Sequence, residues 1–134
     1  YTAGDELEKA GIKCSENGQL LEAYFLDLIG LIVLEKTACI VKQAAEDTAQ
    51  SEGCGVGPFM SPGSVHGWDL KEQSALCSLF SLDRIRVSYT ADGILSPFKS
   101  VSCLIGLGPG YTGTRVGETC RVCSNRDQCR VKIV

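Results

Sequence analysis

The chain has 134 residues, 44% of them hydrophobic and 22% charged, with a formal charge of -3. A single domain of that size buries roughly two-thirds of the surface it exposes unfolded without help from a metal or disulfide, and its acidic balance offers no surface for phosphate backbones, which excludes nucleic-acid binding. The longest apolar stretch, Leu28 to Leu34, lies between Asp27 and Glu35 and falls far short of the ~20 residues a bilayer demands, so no membrane span is expected.

The chain opens Tyr1-Thr2-Ala3-Gly4, without an initiating Met or a cationic segment leading into an apolar one, and reads as a piece of something longer with no signal peptide. From Gln19 to about Gln50, Leu20, Leu21, Tyr24, Phe25, Leu28, Ile29, Ile32, Val33, Cys39, Ile40, Ala44 and Ala45 follow helical spacing. This predicts one long helix or two abutting ones, entered from Ser15-Glu16-Asn17-Gly18 and left at Ser51-Glu52-Gly53. Gly30 in its interior costs about 1 kcal/mol relative to alanine, which points to close approach of another element there.

Gly53 to Gly63 is so rich in glycine and proline that a shaped loop is expected, with neither a helix nor a long strand. Asp69 stands as an N-cap with Glu72 three residues on, predicting a second helix of about a dozen residues. Ile85, Val87 and Tyr89 alternate along Arg84 to Thr90, and Ser100 to Leu107 is β-branched and bounded by Pro97 and Gly108, so both read as strands, with a turn at Ala91-Asp92-Gly93. The expected class is α+β, a twisted antiparallel sheet flanked by helices, in a single domain 1–134 whose residues 108–134 form an irregular cysteine-bearing tail.

Of eight cysteines, Cys14, Cys39, Cys54, Cys77 and Cys103 sit in apolar or small-residue surroundings that suit free thiols. That usage favours a reducing compartment, most simply a cytoplasm. Cys120, Cys123 and Cys129 crowd together as a CxxC followed by a third cysteine. A CxxC turn aims two thiolates at one point, and a third close by can complete a site for an iron-sulfur cluster or zinc, with Cys54 or Cys103 as fourth ligand. Arg121, Arg126 and Arg130, interleaved with these cysteines, would offset thiolate charge. A redox-active pair, or a tail with incidental cysteines, is the plainer alternative. The lone histidine, His66, is of the kind usually found solvated or hydrogen-bonded, and with no nucleophile turn beside it a hydrolytic triad is unsupported. No phosphate-binding loop of the Walker type is present.

Three segments together resemble one family. Leu20 to Gly30, with its Asp27-Leu28-Ile29-Gly30 core, is similar to a helix of the activation (reactivation) domain of cobalamin-dependent methionine synthase. Ser61-Pro62-Gly63, followed by Trp68-Asp69-Leu70-Lys71-Glu72-Gln73, resembles that family's Ser-Pro-Gly-Tyr loop and the helix after it. Lys99-Ser100-Val101-Ser102 resembles its Lys-Ser-Val-Ser strand. The resemblance covers roughly Gly4 to Leu107. It implies an α+β fold that binds S-adenosylmethionine, here at Ser61, Pro62, Gly63 and Ser64, and serves a cobalamin carried by a partner, a corrinoid-carrying protein. The family's arginine before the loop and tyrosine after it stand here as Phe59 and Ser64, which leaves open a non-catalytic module of the same fold with zinc or no metal. Shorter free-standing relatives carry a similar cysteine tail, consistent with Cys120, Cys123 and Cys129 holding an iron-sulfur cluster for methyltransferase-associated electron delivery. Trp68, at the loop's edge, reads either as an anchor for the corrinoid partner or as cover for the start of the second helix.

Overall fold

A computed structural model describes residues 1–117, 123, 125 and 127–129. The chain divides into two compact units, Tyr1–Cys39 with Cys77–Val101, and Ile40–Leu76 with Ser102–Val134. Helices and small antiparallel sheets occur together, and the fold is α+β. No helix among the described residues is long and apolar enough to cross a membrane.

The first unit begins with α1 (Glu6–Glu16), which the sequence reading did not anticipate because its apolar positions, Leu7, Ala10, Ile12 and Cys14, are few, with Ile12 off the stripe of the other three, and are interrupted by Gly11. Gly11 faces the next helix, where a Cβ would stand 3.8 Å from Ala23 O and 3.9 Å from Leu26 Cβ, an ordinary van der Waals contact. The chain then turns through Asn17 and Gly18, the latter at φ +76°, a conformation that favours a residue without a Cβ. It enters α2 (Leu20–Ser51), a single helix, the first of the two arrangements the periodicity left open, whose residues up to Cys39 belong to this unit.

Gly30 of α2 is buried, and the side chain of Lys99 lies in the space it leaves; a Cβ on Gly30 would fall 2.6 Å from Lys99 Cδ. The close approach expected from the sequence is this lysine. Lys99 is only 8% exposed, and its ammonium pairs with Asp27, one helical turn before Gly30. Its backbone is held as well, since Ala3 N–H donates to Lys99 O at 2.9 Å and Val101 N–H to Tyr1 O at 2.9 Å, which lays the first residues of the chain alongside 99–101.

Val87, Leu95 and Cys77 form a small buried cluster with Leu82 packed against it. Leu82–Ile85 is a 3₁₀ turn ended by Arg86 at φ +54°. The strand expected over Arg84–Thr90 is therefore reduced to β2 (Ser88–Tyr89), which pairs antiparallel with β3 (Leu95–Ser96). The turn read at Ala91-Asp92-Gly93 is present, closed by Thr90 N–H to Ile94 O at 2.9 Å.

In the second unit, α2 from Ile40 onward flanks a two-stranded sheet. The strand β1 (Gly55–Met60) runs through the stretch expected to be a loop, and it pairs antiparallel with β4 (Leu104–Gly108). Pro58 has no N–H to give the ladder, and the register slips between Val56 and Phe59, so the strand tolerates its proline at the irregularity. Ala49, Val56 and Val116 are buried together, with Ala45, Cys54, Phe59 and Ile105 against them, so the helix packs on the sheet through alanines. Glu46 adds a polar tie, accepting from Val116 N–H at 2.8 Å.

The strand expected from Ser100 begins only at Leu104. Residues 109–116 carry neither helix nor strand, as expected of the tail, and Gly117 forms an isolated parallel bridge with Pro58. The second helix is also shorter than a dozen residues. Asp69 caps it by accepting from Lys71 N–H at 2.9 Å, but the segment is a 3₁₀ turn (Leu70–Glu72) followed by α3 (Gln73–Cys77).

The glycines of this sheet make room for Tyr111. Its ring occupies the space that a Cβ on Gly57 or Gly106 would need, and a Cβ on Gly55 would come within 1.8 Å of Tyr111 O. A ring can swing aside, whereas a backbone carbonyl cannot do so cheaply. Gly55→Ala is therefore expected to destabilise the protein by about 2 kcal/mol, read as a drop of roughly 8 °C in Tm by thermal unfolding. Gly110→Ala, with nothing within 4 Å of the new methyl, should change Tm by less than about 2 °C.

Candidate functional site

The loop that follows β1 is tied to itself. Ser64 N–H and Ser64 Oγ both donate to Ser61 O, at 3.1 and 2.7 Å, while Gly63 N–H donates to Trp68 O at 2.8 Å and Trp68 N–H to Val65 O at 3.1 Å. Gly63 at φ +80° and Gly67 at φ +77° supply the two left-handed turns that this closure requires. Pro62 is buried and Ser61, Ser64 and Trp68 are half-buried. An open hollow of about 490 Å³ lies over Gly63, Val65, Gly67, Trp68, Asp69 and Leu70.

One atom of this loop stands apart. Ser61 Oγ is buried and has no hydrogen-bond partner among the described residues. A buried hydroxyl left unpaired costs roughly 1–3 kcal/mol, which makes this atom one to test.

The two residues that the resemblance sets at ligand-contacting side-chain positions, Phe59 and Ser64, are turned to other work. Phe59 packs against the cluster of Ala49, Val56 and Val116, and Lys42 Nζ lies 5.7 Å from its ring centroid. Ser64 gives its hydroxyl to the loop. His66 is exposed in the turn.

Among the described residues the cysteine tail meets this loop at Cys123. Cys123 forms an isolated antiparallel bridge with Val65, and Cys123 Sγ accepts from Asn125 N–H at 3.4 Å. Cys123 and Cys129 are free and half-buried; Cys120 lies outside the described residues, as do Arg121, Arg126 and Arg130. Among the described residues no three His, Cys, Asp or Glu side chains come together as a metal site. Cys54 packs at the edge of the helix–sheet core with its N–H on Ala49 O. Burial pushes the Cys103 thiol up, which keeps it protonated in the absence of a metal.

The three segments that carry the family resemblance are joined by side chains that the sequence alone could not pair. Within the first unit Lys99 reaches Asp27 across Gly30. Within the second, Ser102 Oγ donates to Gln73 Oε1 at 2.9 Å, with both residues buried. The residues missed by sequence reading are Gln73 and Ser102; their only signal was a polar residue at an otherwise apolar position.

Thiol reactivity follows from these environments. Burial pushes the Cys77 thiol up, whereas Cys39 is exposed on α2. Because the thiolate is the nucleophile, iodoacetamide at pH 8 should alkylate Cys39 at least about tenfold faster than Cys77, read by mass spectrometry of peptides over time. Equal rates would mean that the cluster around Cys77 opens readily. No protein-family model, curated protein or solved structure matches the chain.

Proposed function

We propose that this protein is a reactivation-domain-like component of cobalamin-dependent methyl transfer, acting on an oxidised corrinoid carried by a partner protein. The observation that carries the reading is the pair of contacts made by the Lys-Ser-Val-Ser segment. Lys99 pairs with Asp27 of the first resembling segment, and Ser102 bonds Gln73 of the second. Charged and polar side chains that cost energy to bury are found at the positions of the resemblance and satisfy one another.

The proposed ligand surface is Ser61, Pro62, Gly63 and Ser64, with the Ser61 hydroxyl, which has no hydrogen-bond partner among the described residues, as the group that S-adenosylmethionine would engage. Cys120, Cys123 and Cys129 would hold an iron-sulfur cluster, with Cys54 as the further ligand. Such a cluster would supply one electron at low potential, taking the partner's cobalt(II) corrinoid to cobalt(I), which would accept the methyl group of S-adenosylmethionine and release S-adenosylhomocysteine. The chain's own part is to keep the loop rigid, through the Ser64 and Trp68 hydrogen bonds, and to hold the tail beside it at Val65. A rigid loop has little order to lose on docking, and Trp68 at its edge is suited to anchor the corrinoid-carrying partner.

A second reading has its own support. Phe59 is engaged in the core and Ser64 in the loop, so neither meets a ligand as an arginine or tyrosine would. This favours a non-catalytic binding module of the same fold, with structural zinc or no metal in the tail.

Anaerobic purification with iron, sulfide and zinc analysis separates the two. The first reading expects iron and sulfide with a broad visible band that bleaches on reduction, lost in each of Cys120→Ser, Cys123→Ser and Cys129→Ser and kept in Cys14→Ser and Cys39→Ser. Zinc without sulfide, or full retention in two of the three tail variants, rejects it. Calorimetry should find S-adenosylmethionine bound weakly, with a dissociation constant above about 100 μM, since the missing charge-assisted contact is worth about 1.5–3 kcal/mol. A low micromolar constant would show that the loop backbone and Ser61 suffice.

A further inference from the structure

A cavity of about 370 Å³ opens in the first unit between α1 and α2. Leu7, Gly11 and Ile12 of α1 and Ala23 of α2 give it an apolar wall. Lys99 and its partner Asp27 line it as well, with Glu8 and Glu16 on the side of α1.

Lys99 is the unusual member of this set. It is 8% exposed, and its ammonium carries three N–H donors, of which one goes to Asp27 while the others have no acceptor among the described residues. A ligand that displaces water from such donors loses affinity unless it replaces the hydrogen bonds, so the occupant must bring an acceptor. Charge narrows the choice further. An ammonium has only donors to offer Lys99. A carboxylate or phosphate can accept, but it would meet Asp27, which already balances the lysine. It would also meet Glu8, half-buried and with Oε2 accepting from Phe98 N–H at 3.0 Å, and the exposed Glu16. A neutral oxygen satisfies both conditions, and the apolar wall suits a hydrocarbon body behind it.

We propose that this cavity is a binding site for a small uncharged carbonyl compound, an amide or ketone with an apolar body, whose oxygen accepts from the ammonium of Lys99. The site draws on neither the Ser61 loop nor the cysteine tail, and it stands or falls independently of any role in methyl transfer.

Three probes that share one hydrocarbon body and differ in the head test it. Hexanamide, hexanoate and hexylamine are titrated at neutral pH into the isotope-labelled chain and followed by backbone amide chemical shifts. Hexanamide should bind with a dissociation constant below about 1 mM, within reach of a ligand of about eight heavy atoms, and its shifts should centre on Gly11, Ala23 and Asp27. Hexanoate and hexylamine should bind at least about tenfold more weakly. Lys99→Met keeps an unbranched stem in the space at Gly30 and removes the donors, and it should weaken hexanamide about tenfold. Ala23→Leu fills the apolar wall while Lys99 and Asp27 stay in place, and a loss of about tenfold is expected there too. If either variant fails to fold, the order of the three probes and the map of shifts on the wild-type chain decide the question. No saturable binding of hexanamide up to about 10 mM, a charged probe binding as tightly, shifts centred elsewhere, or full affinity in either folded variant would each overturn the proposal.

Discussion

A lysine side chain that is nine-tenths buried can exist only where its stem has room and its charge has a partner, and the first unit is organised around providing both for Lys99. The room is Gly30, where any side chain would collide with the lysine Cδ. The partner is Asp27, close enough in the helix that the aspartate stands where the stem ends. The strand-like segment that delivers Lys99 is in turn fixed by the first three residues of the chain, which donate to and accept from its backbone. An uncompensated buried ammonium would cost several kcal/mol, so the three requirements are not separable. They explain why a helix interior carries a glycine that its intrinsic propensity argues against.

The second unit obeys a steric constraint of another kind. Its sheet has only two strands, and a two-stranded sheet needs cover on its faces to persist in water. One cover is the alanine-lined stretch of α2, small enough for close packing. Another is Tyr111, whose ring lies over Gly57 and Gly106 and whose backbone carbonyl lies against Gly55. The glycines that discourage a strand by local propensity are thus the ones that this strand requires, because the energy lost in backbone order is offset by the aromatic surface they admit.

That inversion accounts for much of what sequence reading reached and what it missed. Helical periodicity over a long window gave α2 nearly to the residue, since each of its apolar positions reports the same period. Gly30 signalled a close neighbour but carried no information on which element would come near. The stretch from Gly53 to Gly63 was read as a loop because glycine and proline were judged by local propensity, whereas tertiary cover by Tyr111 decides the outcome at Gly55–Met60. The cap at Asp69 was legible, while the length of the helix behind it was not, as capping marks only where a helix starts. At the candidate site the Ser61-Pro62-Gly63 turn was visible as a motif. The unpaired state of Ser61 Oγ and the bond between Ser102 and Gln73 were not, since both depend on residues brought together from distant parts of the chain.

The bridge between Val65 and Cys123 joins two surfaces to which separate tasks have been assigned. Two sites that share a hydrogen-bonded backbone obey reciprocity: any factor by which an occupant of the loop changes the affinity of the tail for its own occupant is returned unchanged in the other direction. A single pair of residues is therefore enough to couple any occupant of the loop to any occupant of the tail, with the same strength in both directions.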